Sequence, residues 1–337
     1  MFRCFSLKRF MIILLMLIIL VSFSIVTPIA VNVSKSVEDE DIKVNWVDFN
    51  ITYQALNDTL EADIQSYNSD TKLNWVELLA YLGTKYGGNF KKYKKSDLTN
   101  LISQIKCGND INEMGNKLGN FKYYKEAYGA VLDGFVGEYE TEKNDAQNKA
   151  SEKKYGLKVF SPIAKGYSYS HYDDFGSSRS YGFRRKHLGH DMMGGIGTPI
   201  IAVESGVVES VGWNQYGGWR IGIRSFDKKR YHYYAHLRKD HPYNDIYEGK
   251  IIKAGDVIGY LGMTGYSTKE NVNNINVPHL HYGIELIFDE KKREEKYEIW
   301  IDVYALVKLL EKNKSEVYKS ENEFYRKNDI FFPETNE

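Results

Sequence analysis

Five of the eight histidines in this 337-residue chain lie in three short stretches of its C-terminal half, together with one aspartate. The stretches read HLGHD at residues 187–191, YAHL at residues 234–237 and PHLHY at residues 278–282. Neutral imidazole and carboxylate are side chains that a zinc ion binds at about 2.0–2.2 Å, and a catalytic zinc site keeps one position open for water. These residue types therefore indicate a metal site with hydrolytic chemistry.

The stretch at residues 278–282 opens a predicted β-strand with two different faces. Leu280, Tyr282 and Ile284 form an apolar face. His279 and His281 fall on the opposite, polar face, because side chains alternate along a strand. Residues two apart lie about 6–7 Å from each other, so both imidazoles can serve one site. A hydrogen-bonded pair of core histidines is the alternative, but the apolar face of this strand is the other one.

A second predicted strand carries the middle stretch. His236 shares a face of this strand with His232 and Tyr234. A single histidine on a strand is usually polar surface, and only the neighbouring motifs favour a role for His236. We therefore expect His236 to join the site and His232 to lie at its periphery.

The first stretch needs a bend to bring its ligands together. His187 and Asp191 are four residues apart, which is about 13 Å in a straight strand. The chain must therefore turn between them, and Gly189 is the residue that tolerates the turn. His190 should point away from the metal, with a ligand role as the alternative.

Length and composition limit the classes of protein. A chain of 337 residues exceeds what one hydrophobic core usually organises, which predicts two domains. Lys plus Arg and Asp plus Glu both number 45, so the chain has no overall basic field to attract nucleic acid. Cys4 and Cys107 fall on opposite sides of the membrane segment described next, so no disulfide is expected to join them.

An uncharged, mostly apolar segment occupies residues 10–34, and its 25 residues exceed the roughly 20 that a helix needs to cross a bilayer. Basic residues precede it and an acidic run follows at residues 38–41. The positive-inside rule predicts a cytoplasmic tail at 1–9, an uncleaved single-pass anchor in the cell membrane and an extracellular remainder that starts with a stalk at 35–45. A cleaved secretory signal is the alternative, and it exports the same remainder.

A small α-helical domain is expected at residues 46–139, where apolar residues recur with helical spacing. Asn74 and Ser96 are candidate N-caps of two of its helices, and a third helix is expected over residues 123–135. Glu77 would suit a lysozyme-like general acid, but a helical glutamate without a companion motif is far more often a surface side chain. The role of this domain stays open.

After a charge-rich linker expected at residues 140–158, the hydrophobic period changes from helical spacing to alternation. Short strands separated by glycines predict an all-β domain with an antiparallel sheet at residues 159–311. This domain is expected to end in a helix at 302–310, and a polar tail follows at 312–337. The expected fold class is α+β, with a transmembrane helix, a small α-helical domain and the all-β domain in that order.

The patterns His-x-Gly-x-Asp, Tyr-x-His-Leu and His-x-His, in this order, resemble the lysostaphin-type (LytM-like) zinc metallopeptidases. That family cuts peptide bonds in the peptidoglycan of bacterial cell walls. Flanking sequences extend the resemblance over residues 161–310, with GTP at 197–199, SGVV at 205–208 and TGYST at 264–268. The resemblance implies a LytM-like fold for the β domain and leaves the helical segment unexplained.

The resemblance also implies roles for individual residues. His187, Asp191 and His281 correspond to the zinc ligands, His279 to the general base and His236 to the residue that helps to hold the polarised oxygen. One zinc ion per chain and a peptidoglycan peptide as substrate follow from this. The implied protein is a membrane-anchored, outward-facing zinc endopeptidase. The alternative is a non-catalytic or latent wall-binding scaffold, regulated by a protein partner through the helical domain.

One departure from the family pattern affects substrate choice. The family usually passes from Ser-Thr to Pro-His with a single glycine between them, whereas here the nine residues 269–277 intervene. Four asparagines make this insert polar and turn-prone. Because the insert runs directly into the strand of His279, we expect it to shape the substrate groove or to cover part of it. Which peptide bond is cut stays open.

Overall fold

The computed structural model describes residues 47–143, 151–180, 184–291 and 297–331, which all belong to one compact unit. The cytoplasmic tail, membrane anchor and stalk expected at residues 1–45 lie outside the described residues and stay predictions. Within the described ranges, no helix combines the length and the hydropathy that crossing a membrane requires.

The N-terminal part of the described chain is helical, as predicted. Its α-helices are α1 (Tyr53–Ser66), α2 (Trp75–Tyr86), α3 (Lys95–Lys106), α4 (Ile111–Asn116) and α5 (Phe121–Leu132). Asn74 caps α2, because its side-chain oxygen accepts a hydrogen bond of 3.0 Å from the backbone N–H of Glu77. Ser96 does not cap α3, which already begins at Lys95 and has no side-chain cap.

Glu77 takes part in an ion pair between two helices. Its Oε1 lies 2.7 Å from Nζ of Lys125, so the carboxylate links α2 to α5. This contact accounts for Glu77 as a structural side chain.

Residues 140–158, expected to form a linker, are largely β-structure. Strand β1 (Val136–Lys143) pairs antiparallel with β2 (Ser151–Leu157), and β17 (Asn328–Phe331) joins β1 on its other edge. Glu140 and Lys153 face each other across the hairpin, with 3.5 Å between Oε1 and Nζ. The sequence did not indicate these strands because both carry charged side chains on exposed faces instead of an apolar alternation.

The main sheet is antiparallel and carries the candidate site. Its strands run in the order β11-β8-β9-β10-β13-β6-β3, with β14 paired to β13. Their bounds are β3 (Tyr169–Tyr172), β6 (His190–Gly194), β8 (Gly206–Asn214), β9 (Gly218–Ser225), β10 (Arg230–Ala235), β11 (Ile251–Ile252), β13 (His279–Leu286) and β14 (Ile299–Trp300). An antiparallel sheet was expected for this part of the chain.

Shorter strand pairs and one helix complete the described fold. The pairs are β4 (Ser178–Ser180) with β5 (Arg184–Lys186), β7 (Pro199–Ile201) with β12 (Val257–Tyr260), and β15 (Val317–Ser320) with β16 (Glu323–Arg326). Helix α6 (Tyr304–Leu310) begins two residues later than predicted. Strands β15, β16 and β17 show that most of the expected polar tail is part of the fold.

Helices and main sheet share one hydrophobic core. Leu56 of α1 belongs to the same buried cluster as Ile221 of β9 and Leu280 of β13. The buried side chain of Arg230, on β10, donates a hydrogen bond of 2.9 Å from Nη1 to the carbonyl oxygen of Ala130, on α5. The helical and β segments, expected to be two domains, are therefore packed as one compact unit.

Candidate metal centre and active site

Three donor atoms converge at the ends of β6 and β13. Nε2 of His187 lies 2.9 Å from Nδ1 of His281, and each of these nitrogens lies close to Oδ1 of Asp191, at 3.1 and 2.9 Å respectively. His281 and Asp191 are direct cross-strand partners in the register of β13 and β6. The pairing of these two strands therefore sets two of the three donors side by side.

His187 reaches this point from the loop between β5 and β6, and Gly189 makes the approach feasible. A Cβ on residue 189 would lie 2.5 Å from Nε2 of His281 and 2.9 Å from the carbonyl oxygen of Tyr282. The backbone at Gly189 does not have a positive φ. Glycine is thus required because the chain passes close to the imidazole of His281, which gives the expected bend at Gly189 a steric reason.

The donor set fits a metal ion better than it fits protons. Three donors bound tetrahedrally at about 2.0–2.2 Å would lie roughly 3.3–3.6 Å apart, a little wider than the observed 2.9–3.1 Å. Hydrogens on both ring nitrogens would converge on the same oxygen, Oδ1 of Asp191, and a hydrogen on only one of them leaves the other nitrogen without a donor. A cation between the three lone pairs satisfies each of them. His187, Asp191 and His281 therefore fit the zinc ion that the sequence pattern implies.

Charges around Asp191 hold it as an oriented carboxylate. Burial alone raises the pKa of this carboxyl, but hydrogen bonds with His187 and His281 outweigh burial and bring the pKa well below its usual range. Oδ1 faces the other two donors, whereas Oδ2 accepts a hydrogen bond of 2.8 Å from Nη2 of Arg179. The same guanidinium also contacts Asp174 at 2.8 Å.

Asp174 extends this network to the back of His187. Its Oδ1 lies 2.7 Å from Nδ1 of His187, an approach that is close but outside the angles of a regular hydrogen bond. A carboxylate at this distance favours a proton on Nδ1, which leaves the lone pair of Nε2 directed at the other donors. Asp174 and Arg179 carry no motif and are separated from the ligands in sequence, so sequence reasoning did not find them.

His236 and His279 lie next to the donors and have the same tautomer. Nδ1 of His236 lies 2.8 Å from the carbonyl oxygen of Thr264, and Nδ1 of His279 lies 2.8 Å from that of Val277. A carbonyl can only accept, so each Nδ1 carries the proton and each Nε2 has a free lone pair. The two rings are 4.8 Å apart between centroids.

Burial keeps part of this cluster neutral. Loss of solvent lowers the pKa of His236 well below its ordinary value and also lowers the pKa of His281. Nε2 of His279 is buried, has no hydrogen-bond partner among the described residues and lies 3.7 Å from Oδ2 of Asp191. An imidazole nitrogen of this kind can accept a proton.

The two remaining candidate histidines turn away from the donor set. Nε2 of His190 lies 2.7 Å from Nδ1 of His171, behind β6. His232 was expected at the periphery but is fully buried, where Nε2 contacts Glu204 and Nδ1 contacts the hydroxyl of Tyr282, both at 2.8 Å. Both imidazoles therefore serve the packing of the sheet.

Three converging donors on an antiparallel sheet, flanked by two imidazoles with free lone pairs, define a metallohydrolase type of site. Residues 185–294 match Peptidase family M23, and the chain therefore contains an M23 domain. Members of this family are zinc metallopeptidases. The resemblance seen in the sequence is thus confirmed.

The relatives with curated functions match only part of this chain. The chain is 42% identical over 123 residues to the L-Ala–D-Glu endopeptidase of Bacillus subtilis, which covers 36% of each protein. It is 41% identical over 97 residues to lysostaphin of Staphylococcus simulans, which covers 28% of this chain and 17% of lysostaphin. The chain therefore spans about a third or less of the length of these two relatives.

One solved structure extends the similarity to most of the chain. It comes from Ruminococcus gnavus and is described as a candidate glycyl-glycine endopeptidase lytM. Its TM-score is 0.52 and its sequence identity 22%, and the match covers 83% of this chain and 95% of that one. At this identity the likeness concerns the fold, and it confirms the expected LytM-like fold.

Proposed function

We propose that this chain is a zinc-dependent endopeptidase that hydrolyses peptide bonds of bacterial peptidoglycan. The observation that carries the proposal is the donor triangle of His187, Asp191 and His281 beside two imidazoles whose Nε2 atoms are free to accept protons. The presence of an M23 domain in the chain supports the same chemistry. A scaffold without catalytic function would have no need to keep all five side chains in this arrangement.

The five residues of the site divide into three zinc ligands and two histidines that act on the attacking water. His187, Asp191 and His281 would hold one zinc ion, which when bound lowers the pKa of its water to about 7 and polarises the scissile carbonyl. His279 accepts the proton of the attacking water at Nε2 and passes it to the leaving amide nitrogen. His236, whose buried imidazole is neutral, accepts a hydrogen bond at Nε2 from the attacking water and so helps to hold the oxygen that is added to the carbonyl.

Substitution of single histidines tests this division. We expect near-stoichiometric zinc in the purified protein and its loss in His281→Ala. His279→Ala and His236→Ala should keep the zinc but lose hydrolysis of purified peptidoglycan by about 100-fold or more. Zinc loss in parallel with activity in the last two variants would contradict the division. A wild-type protein that holds zinc and releases no peptide would support the alternative of a latent or non-catalytic scaffold, regulated by a protein partner on the helical segment.

The relatives differ in the bond that their names specify. One is named for the L-Ala–D-Glu bond, and another, from Staphylococcus capitis, is a glycyl-glycine endopeptidase. Mass spectrometry of the fragments released from peptidoglycan of both kinds identifies the bond that this chain cuts.

We also propose that residues 10–34 anchor the protein in the cell membrane with the peptidase outside. An apolar helix of this length satisfies its backbone hydrogen bonds internally, whereas the flanking charges are costly to bury. The protein should fractionate with membranes at its full 39.0 kDa, and protease added to wall-stripped cells should leave only a small N-terminal fragment. A mature N-terminus near residue 31 in the culture medium would show a cleaved signal instead.

A further inference from the structure

Arg185 has an unusual environment for a half-buried cation. The central carbon of its guanidinium lies 4.8 Å from the centroid of the Tyr266 ring and 5.6 Å from that of Tyr216. One Nη2–H donates to the hydroxyl of Tyr266. Among the residues that the structure describes, no carboxylate lies within ion-pair distance of Arg185. Within the described part of the chain, two aromatic faces contact this charge and no carboxylate pairs with it.

This clamped guanidinium lies beside the catalytic residues. Arg185 lies on β5, two residues before His187 in the sequence. The centroid of the Tyr266 ring lies 5.8 Å from that of the His236 ring. The two tyrosines are fixed to each other, because the backbone N–H of Tyr266 donates to the carbonyl oxygen of Tyr216 at 3.3 Å. The same aromatic surface thus touches both Arg185 and a proposed catalytic imidazole.

This arrangement preorganises the guanidinium of Arg185 to bind a planar anion. Contact with aromatic faces restricts the long arginine side chain before any ligand arrives, so less conformational entropy is lost on binding. Stacking uses the face of the guanidinium and leaves N–H groups at its edge, which match the two oxygens of a carboxylate. Of the groups that a wall peptide offers, a carboxylate suits this site best.

We propose that Arg185 binds a free carboxylate on the substrate residue next to the scissile bond. The preferred substrate would then be an anionic stem peptide, and not a glycine bridge, whose internal residues carry no charge. A D-glutamate linked through its γ-carboxyl has such a group, because its α-carboxylate stays free. This inference rests on the proposed peptidase function and specifies the substrate class of that site.

Two matched peptides test the inference. The probes are N-acetyl-L-alanyl-γ-D-glutamyl-L-lysinamide and its D-isoglutamine analogue, in which an amide replaces the α-carboxylate. The wild-type full chain should cleave the carboxylate peptide with a kcat/KM roughly 10- to 100-fold above that of the amide. Arg185→Gln should bring this ratio to about 1, because neither peptide then meets a cation at this position. Lys186→Gln removes the same charge from the adjacent exposed residue and should leave the ratio unchanged.

A ratio that survives in Arg185→Gln, or that falls equally in Lys186→Gln, would overturn the proposal. Calorimetric binding to His279→Ala separates this result from a failure of the peptidase function. If the carboxylate peptide binds more tightly than the amide, and the additional change Arg185→Gln removes the difference, Arg185 recognises the carboxylate whether or not the wild type hydrolyses it. Equal binding of both peptides to His279→Ala would reject the role of Arg185.

Discussion

The two oxygens of Asp191 have different tasks. Oδ1 meets the imidazoles of the donor set, and Oδ2 is occupied by the guanidinium of Arg179 at 2.8 Å. Arg179 comes from the β4–β5 hairpin, so a segment outside the main sheet fixes the rotation of this carboxylate. Oriented in this way, Asp191 would offer one oxygen to a metal and not both.

Arg179→Gln should therefore weaken zinc binding by about 10- to 100-fold, the usual effect of losing a partner that orients a ligand. Competition with a chromogenic chelator measures this affinity without reference to activity. The matched control is Arg224→Gln, because Arg224 also pairs with two carboxylates, those of Glu209 and Glu290. Equal zinc affinity in Arg179→Gln and wild type would show that Asp191 needs no external support.

His190 makes the stability of the protein sensitive to acid. Burial, together with the neighbouring His171, lowers the pKa of His190 to about 4. In the unfolded chain this group takes up a proton below about pH 6.5, whereas in the folded chain it stays neutral until about pH 4. The unfolding free energy should therefore fall as the pH falls through this window, by at most about 2 kcal/mol from pH 7 to pH 5.

Urea unfolding of the zinc-depleted protein at both pH values measures this change. His190→Gln should have a flatter dependence on pH than the wild type, because the group that titrates is gone. An unchanged dependence would assign the acid sensitivity to other groups.

Among the elements, the insert at residues 269–277 has a definite conformation. Oδ1 of Asn271 accepts hydrogen bonds of 2.9 Å from Nε1 of Trp219 and from the backbone N–H of Asp240. The backbone of Ile275 donates to the carbonyl oxygen of Met263 at 3.3 Å. These contacts fold the insert onto the segment that precedes it and attach it to the wall of the sheet.

Asn271→Ala should lower the unfolding free energy by about 2–3 kcal/mol. The change removes an acceptor shared by two donors, and it places alanine at a φ of +61°, a left-handed conformation that asparagine adopts at lower cost than alanine. Asn276→Ala, at an exposed position of the same insert, is the control and should change stability by less than about 0.5 kcal/mol. Denaturant unfolding compares the two, and similar values would mean that Asn271 does not hold the insert.

The sequence predicted the elements that are recognisable from the pattern of neighbouring residues alone. The alternation around His279 and His281 gave the strand, and the spacing of the three motifs identified the five side chains that the structure brings together. The β1–β2 hairpin was missed because charged side chains, among them the paired Glu140 and Lys153, and not apolar ones, line its exposed faces. The roles of Arg179 and Asp174 depend on how a distant hairpin folds over the sheet, which no local pattern records.

At the scale of the whole molecule, the helices complete the core of the sheet. Glu204, Arg230 and His232 form a buried polar network, and Arg230 also closes the end of α5 through its bond to Ala130. A second contact joins α1 to the segment after α6, where Nζ of Lys312 lies 3.0 Å from Oε1 of Glu61. Removal of the helices would therefore expose apolar surface and leave Arg230 with an unpaired donor.

We accordingly expect residues 159–311 alone, the predicted peptidase domain, to be unstable. This fragment should be digested rapidly by trace protease and should unfold at least about 10 °C below residues 47–337, since a loss of a few kcal/mol shifts the melting temperature by this amount. Differential scanning fluorimetry of both proteins with saturating zinc makes the comparison. A fragment as stable as the longer chain would show that the helices are an independent domain after all.

The carbonyl groups that face His236 and His279 have a consequence for how such a protein can change over generations. Thr264 and Val277 fix the tautomers with backbone atoms, which every residue type provides. Exposed side chains of the segment between them, such as Asn276, can therefore be exchanged as long as the path of the main chain is kept. Related proteins can therefore differ in the surface that contacts the substrate and still have the same pair of proton acceptors.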